Sequence, residues 1–124
     1  MGLLVSIALG GALGSVLRHG VSSLIARWLG GGFPWGILAV NVLGGLAIGI
    51  LAGLFALRWQ TGLEMRAFLT VGLLGGFTTF SAFSLDVALL IERGELGQAA
   101  AYVIASVAAS VLALFAGLHL VRAM

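Results

Sequence analysis

Four long apolar runs, at about 3–29, 35–57, 65–91 and 96–121, take up nearly all of the 124 residues. A helix rises about 1.5 Å per residue, so about 20 apolar residues cross the hydrocarbon of a bilayer. Each run reaches that length, and the links between them leave no room for a soluble domain. Charged residues make up 8% of the chain, about a third of the ~25% usual in soluble domains. A water-soluble globule of this size exposes too much surface to hide a 61% apolar composition. The sequence therefore predicts an all-α integral membrane protein, one unit of four transmembrane helices. A soluble enzyme and a disordered chain are both excluded.

The scarce polar residues narrow the chemistry. Cys is absent, which removes disulfides, thiolate metal sites and cysteine nucleophiles. His19 and His119 are the only imidazoles, too few and too far apart to suggest a metal centre. All six basic residues are Arg, scattered along the chain with a net charge of +2. No basic cluster is present to grip phosphates, so nucleic acid is not an expected partner. No Walker-type glycine loop is present either, which argues against a nucleotide-driven pump. The first Arg is Arg18, so the N-terminus lacks the basic start of a cleaved secretory signal and reads as a first helix.

Turn signals separate the runs. Gly30, Gly31, Gly32 and Pro34 form the first link, residues 58–64 with Gly62 the second, and Glu92, Arg93, Gly94 and Glu95 the third. Links this short predict antiparallel neighbours and both termini on one side. On that side fall Arg58, Arg66 and Arg122; on the other fall Arg27 and Arg93, with Arg18 inside the first run. Because cytoplasmic loops attract Arg, a three-to-two split orients the chain only weakly, and dual topology is expected.

Twenty glycines would weaken helices in water. In a bilayer, small residues let helix backbones approach closely. Gly10 and Gly14 are four apart, and Gly45, Gly49 and Gly53 form a longer stripe. Ala101, Ala105, Ala109 and Ala113 make a comparable ridge on the last run.

Polar groups inside spans are costly unless paired or wet, so each is a candidate site. Asn41 lies on the stripe of Gly45, Gly49 and Gly53, where its carboxamide either bonds between helices or faces a permeating anion. The third run contains Gly75-Gly76-Phe77-Thr78-Thr79-Phe80-Ser81-Ala82-Phe83-Ser84. Paired Gly and paired Thr make a poor helix, so a mid-membrane break is predicted, unless the stretch is only a packing kink. Carbonyls freed by a break suit a small hard cation such as Na⁺. Phe80 and Phe83 share a face beyond it, either as core aromatics or as ring edges offered to an anion. Asp86 follows one turn later, at a vestibule or paired with an Arg. Tyr102, Ser106 and Ser110 recur every four residues on the last run, a hydroxyl track suited to an anion losing its water, although each Ser can bond its own i−4 carbonyl. Arg18 either snorkels or is paired within the membrane.

These motifs resemble the CrcB/Fluc family of fluoride channels. Gly10-Gly11-Ala12-Leu13-Gly14-Ser15-Val16-Leu17-Arg18 is similar to the family's first-helix pattern of three glycines and an Arg. Pro34-Trp35-Gly36 through Val40-Asn41-Val42-Leu43-Gly44 is similar to its second-helix pattern. The segment from Gly75 to Ser84 resembles its Gly-Gly-x-Thr-Thr-Phe-Ser-Thr-Phe-Ser signature. The resemblance implies an antiparallel, dual-topology homodimer in a bacterial inner membrane, with two fluoride pores at the interface and a central structural Na⁺. By motif position, Asn41, Phe80 and Phe83 would line the fluoride path, Ser106 and Ser110 would continue it, and Tyr102 and Thr79 would lie nearby. The carbonyls of Gly75 and Thr78 would hold Na⁺. The chain departs from the family at Ile37 and Ala82, where Thr is usual, so its polar track is poorer in hydroxyls there.

The implied function is passive export of cytoplasmic fluoride, which confers fluoride resistance. Fluoride entering as neutral HF dissociates inside, and a negative membrane potential then drives the anion out at ~2.3 kcal/mol per 100 mV. Two rivals stand beside it. A proton-coupled exporter of cationic drugs needs a membrane-buried carboxylate, yet the first two runs contain no Asp or Glu. A purely structural membrane subunit would need no polar track.

Overall fold

The computed structural model describes residues 2–124. Helix α1 spans Gly2–Leu29, and α2 spans Trp35–Leu57. The third apolar run is a composite: α3 (Leu63–Ala67), a π-helical segment (Phe68–Leu74), α4 (Gly75–Phe77) and α5 (Phe80–Glu92). Helix α6 spans Leu96–Arg122. Four helical runs are long and apolar enough to cross a membrane, the third counted from Leu63 to Glu92. Among the described residues there is no strand.

Local chemistry explains the ends. Gly30 takes φ +88° and its N–H bonds the Ala26 carbonyl at 2.9 Å, closing α1 in the left-handed conformation that glycine tolerates. Pro34 precedes α2, where its missing N–H costs nothing. Helix α5 ends in a Schellman motif. Gly94 sits at φ +78°, its N–H reaches Ile91 O at 3.0 Å, and Glu95 N–H reaches Leu90 O at 2.9 Å. This reversal lets α6 start only two residues beyond Gly94.

The short links predict that consecutive helices are neighbours. The most extensive packing instead pairs the first run with the third and α2 with α6. Small residues decide this. A Cβ at Gly10 would lie 2.5 Å from Phe68 O, and one at Gly72 would lie 2.8 Å from Ile7 O. A Cβ at Gly45 would lie 2.7 Å from Ser110 O, and one at Gly49 would strike Leu114 O. Both pairs advance together along the chain and are therefore parallel, so the four runs alternate in direction. Gly53 meets Val121 and Gly2 meets Glu64, which puts the helical ends Gly2 and Arg122 at the end of the bundle that carries the α2–α3 link. The close approaches of α6 to the α2 glycines fall on Ser110, Leu114, Gly117 and Val121, not on the alanine ridge at Ala101, Ala105, Ala109 and Ala113. A helix face four residues wide holds both lines, and the glycines select the one that brings backbones nearest.

Candidate functional site

The third run loses helical geometry at two residues. Thr78 has φ −82° and ψ 155°, and Thr79 has φ −152° and ψ 122°. Both are extended, and the polar groups they release are taken up by named partners. Asn41 Oδ1 accepts the Thr79 N–H at 2.8 Å, and Asn41 Nδ2 donates to the Thr79 carbonyl at 3.1 Å. Thr79 Oγ1 accepts the Ala82 N–H at 3.0 Å, capping α5, and lies 3.3 Å from Ser81 Oγ. Thr78 donates its hydroxyl back to Leu74 O at 2.9 Å.

The four carbonyls from Gly75 to Thr78 lose their helical donors in consequence, and for the first and last of them the diverted N–H is seen on another partner. An unbroken helix would give the Thr79 N–H to Gly75 O and the Ala82 N–H to Thr78 O. The first goes to Asn41 and the second to the Thr79 hydroxyl. Gly75 and Thr78 thus carry freed carbonyl oxygens of the type that a hard cation accepts. Among the described residues no group of three or more His, Asp or Glu side chains is gathered for a metal, so a cation here would rest on carbonyl oxygens. Two carbonyls make only part of a shell for such an ion.

A cavity of about 530 Å³ opens between α2, the interrupted third run and α6. Asn41, Gly75, Thr78, Thr79, Phe80, Phe83, Ser106 and Ser110 all line it. The hydroxyl oxygens of Ser106 and Ser110 are buried, and neither has a hydrogen-bond partner. Neither therefore bonds its own i−4 carbonyl. Phe83 is buried, whereas Phe80 is 78% exposed on the open side; their ring centres are 5.5 Å apart.

Three residues named from the sequence lie elsewhere. Tyr102 is fully buried behind Phe83, with ring centres 5.1 Å apart, and does not line this cavity. Its hydroxyl donates to Asp86 Oδ2 at 3.0 Å. Asp86 lines a second cavity of about 410 Å³, together with Arg93, Phe33 and Trp35. Arg18 is half-buried on α1 and lines neither cavity. Sequence reasoning missed Thr70 and Gly44, which line the first cavity. Thr70 bonds its hydroxyl to Arg66 O at 2.7 Å and gives no signal beyond being polar in an apolar run. Gly44 lies three residues from Asn41, and a Cβ there would strike the Thr78 methyl; only the fold reveals that contact.

Four apolar helical runs, three of which line a cavity that carries neutral polar groups, define a multi-pass membrane protein. Comparison with known proteins is specific. The sequence matches the family described as CrcB-like protein, Camphor Resistance (CrcB), over residues 5–118. It is 57% identical over 122 residues to the fluoride-specific ion channel FluC of Rhodospirillum centenum, covering 98% of this chain and 97% of that protein. It is 57% identical over 119 residues to the channel of the same name from Nitrobacter winogradskyi, covering 96% and 94%. The Agrobacterium fabrum channel is 53% identical over 116 residues, covering 94% and 93%. The chain belongs to the CrcB family, whose relatives here are named as ion channels and not as enzymes.

Proposed function

We propose that the chain is a subunit of a fluoride channel that passively exports cytoplasmic fluoride. The observation that carries this reading is the pair of buried, unpartnered hydroxyls of Ser106 and Ser110 on a cavity shared with Asn41, Phe80 and Phe83. Buried donors without partners are costly, so they fit a ligand that accepts hydrogen bonds. A small anion that sheds water needs donors in series, and neutral donors repay dehydration without holding the ion as tightly as Arg would. The Phe ring edges add partial positive charge. The names of the close relatives point to the same ion. The rival exporter wants an acidic residue in its substrate cavity, and the lining of this one is Asn, Thr, Ser, Gly and apolar side chains.

The working unit in this reading is an antiparallel, dual-topology homodimer in a bacterial inner membrane, with the third run broken at mid-membrane and two pores at the interface. The open side of the cavity and the exposure of Phe80 support a second copy as the missing wall. Sodium would bind the freed carbonyls of Gly75 and Thr78 from each copy, and the ion would supply charge that ties the two breaks together. Asn41 would hold Thr79 and keep its remaining amide N–H for the anion.

Reconstitution tests the function. Liposomes loaded with potassium fluoride and potassium chloride, and given a potassium ionophore to carry the compensating charge, should release fluoride through the purified chain, with no pH gradient, while chloride stays inside. Retention of fluoride, or equal release of chloride, would overturn the reading. Exchange of sodium for a large organic cation should favour monomers on prolonged incubation, measured by size-exclusion chromatography.

A further inference from the structure

The third run packs on α1 with an unequal step. On α1 the contact glycines Gly10 and Gly14 are four residues apart. A Cβ at Gly10 would lie 2.5 Å from Phe68 O and 2.8 Å from Leu73 N, the acceptor and donor positions of one five-residue turn. A Cβ at Gly14 would strike Leu73 O and lie 2.9 Å from Phe77 N, the two ends of the next turn, which is four residues long. From Phe68 to Leu73 the third run thus uses five residues where α1 uses four. The π-helical segment Phe68–Leu74 holds the fifth.

Backbone pairing shows the same excess. The Gly75 N–H bonds Thr70 O, five residues back, and the Thr78 N–H bonds Leu74 O, four back, at 2.9 Å. Between them only the N–H groups of Gly76 and Phe77 remain for three carbonyls, those of Val71, Gly72 and Leu73. The Gly75 N–H makes up the shortfall, since it also reaches Gly72 O. One donor therefore serves two acceptors, at a residue whose own carbonyl is freed by the interruption. Thr70 and Gly75, the two ends of this last wide turn, both line the first cavity. No other element pins Gly75: apart from its neighbouring backbone, a Cβ there would find only Thr70 O within 4 Å, at 3.6 Å.

We propose that the wide turn is a conformational device of the ion site: its extra residue lets Gly75 shift its N–H between Thr70 O and Gly72 O, so that the freed Gly75 carbonyl adjusts as an ion enters or leaves the cavity. A regular helix holds each N–H on one carbonyl, and moving it means losing that bond first. A shared N–H passes from one acceptor to the other without that loss. The packing on α1 stays in place meanwhile, because Gly10 and Gly14 rest on Phe68, Leu73 and Phe77 and not on Gly75.

The inference rests on the fluoride-channel reading and is tested by removing the extra residue. Val71 is 58% exposed and lines neither cavity. Its deletion leaves Phe68 and Leu73 four apart, matching Gly10 and Gly14, and turns the segment into a regular helix with the Asn41–Thr79 pair in place. The deletion variant should assemble as the wild type does, with a melting temperature unchanged or higher, since each carbonyl regains its own donor. Its fluoride efflux from liposomes carrying the potassium ionophore should fall about fivefold, the factor corresponding to one ordinary hydrogen bond that must now break. Unchanged efflux overturns the device, and lost assembly or a lowered melting temperature overturns the extra residue. Hydrogen–deuterium exchange of the wild type is a second measurement that needs no variant. The amides of residues 72–76 should exchange faster than those of residues 8–14 on the facing stretch of α1, and equal protection overturns the device. A wild-type chain that passes no fluoride overturns the proposed function, and the assembly of the deletion variant and the exchange rates then decide the wide turn separately.

Discussion

Asn41 closes two hydrogen bonds on the backbone of Thr79, a residue 38 positions away, accepting its N–H at 2.8 Å and donating to its carbonyl at 3.1 Å. The carboxamide thus does for Thr79 what a neighbouring strand does for an extended residue. It allows two non-helical residues in an otherwise apolar helical run without orphaned polar groups. The same bonds divert the N–H that would have occupied Gly75 O, so one side chain both stabilises the interruption and creates the freed carbonyl beside it.

Asn41→Asp should be damaging in two ways. A carboxylate still accepts from the Thr79 N–H but faces the Thr79 carbonyl with no donor. It also puts negative charge on the cavity wall. Thermal stability of the detergent-solubilised protein should fall by about 1–3 kcal/mol, and fluoride efflux should drop at least about tenfold. An unchanged rate would remove Asn41 from the path.

Ser106→Ala and Ser110→Ala should separate stability from transport. Each removes a buried hydroxyl that has no partner, so the fold loses no hydrogen bond and is as stable as before or slightly more so. Fluoride efflux should nevertheless slow. Paired measurements of melting temperature and efflux check this, and a parallel loss of both would show a structural role instead.

Phe80 and Phe83 should respond differently to replacement by Ile. Phe83 is buried against Tyr102, so Phe83→Ile should destabilise the subunit by about 1–3 kcal/mol. Phe80 is largely exposed, so Phe80→Ile should leave thermal stability nearly unchanged while reducing fluoride efflux. Equal stability losses would mean that Phe80 is buried by a second copy in the assembled form.

Glycine-to-alanine changes should map the close approaches. Gly44→Ala drives a methyl into Thr78, and Gly49→Ala drives one into Leu114 O. Both should lower the melting temperature, and Gly44→Ala should in addition slow efflux by displacing the residue that carries a freed carbonyl. Gly20→Ala meets nothing within 4 Å and should be neutral or stabilising by about 0.5–1 kcal/mol.

Much of the fold was legible because it depends on local composition. Apolar length marks four helices, and Gly30, Pro34 and Gly94 mark turns whose backbone angles require them. The motif from Gly75 to Ser84 drew attention to the segment in which Thr78 and Thr79 are extended. The π-helical segment at Phe68–Leu74 was not legible. It coincides with the approach of Gly72 to Ile7 O and Gly10, a contact between runs that no local pattern encodes. Nor could spacing alone distinguish Tyr102 from Ser106 and Ser110. All three lie on one face of α6, but the tyrosine reaches past the cavity wall to Asp86, while the shorter serines stop at the lining.

The sequence by itself determined that the chain carries four helical runs able to cross a membrane, which polar groups lie in them, and to which family it belongs. These follow from local properties: helix length, hydropathy and the order of motifs. Only the tertiary structure decided that the first run packs on the third and α2 on α6, that Asn41 serves the Thr79 backbone, and that the Tyr102 hydroxyl is committed while those of Ser106 and Ser110 are not. A helix in lipid satisfies its own backbone, so its existence is a local matter. Which helix it touches depends on where two surfaces have small residues facing each other, and that is settled only when all four are packed together.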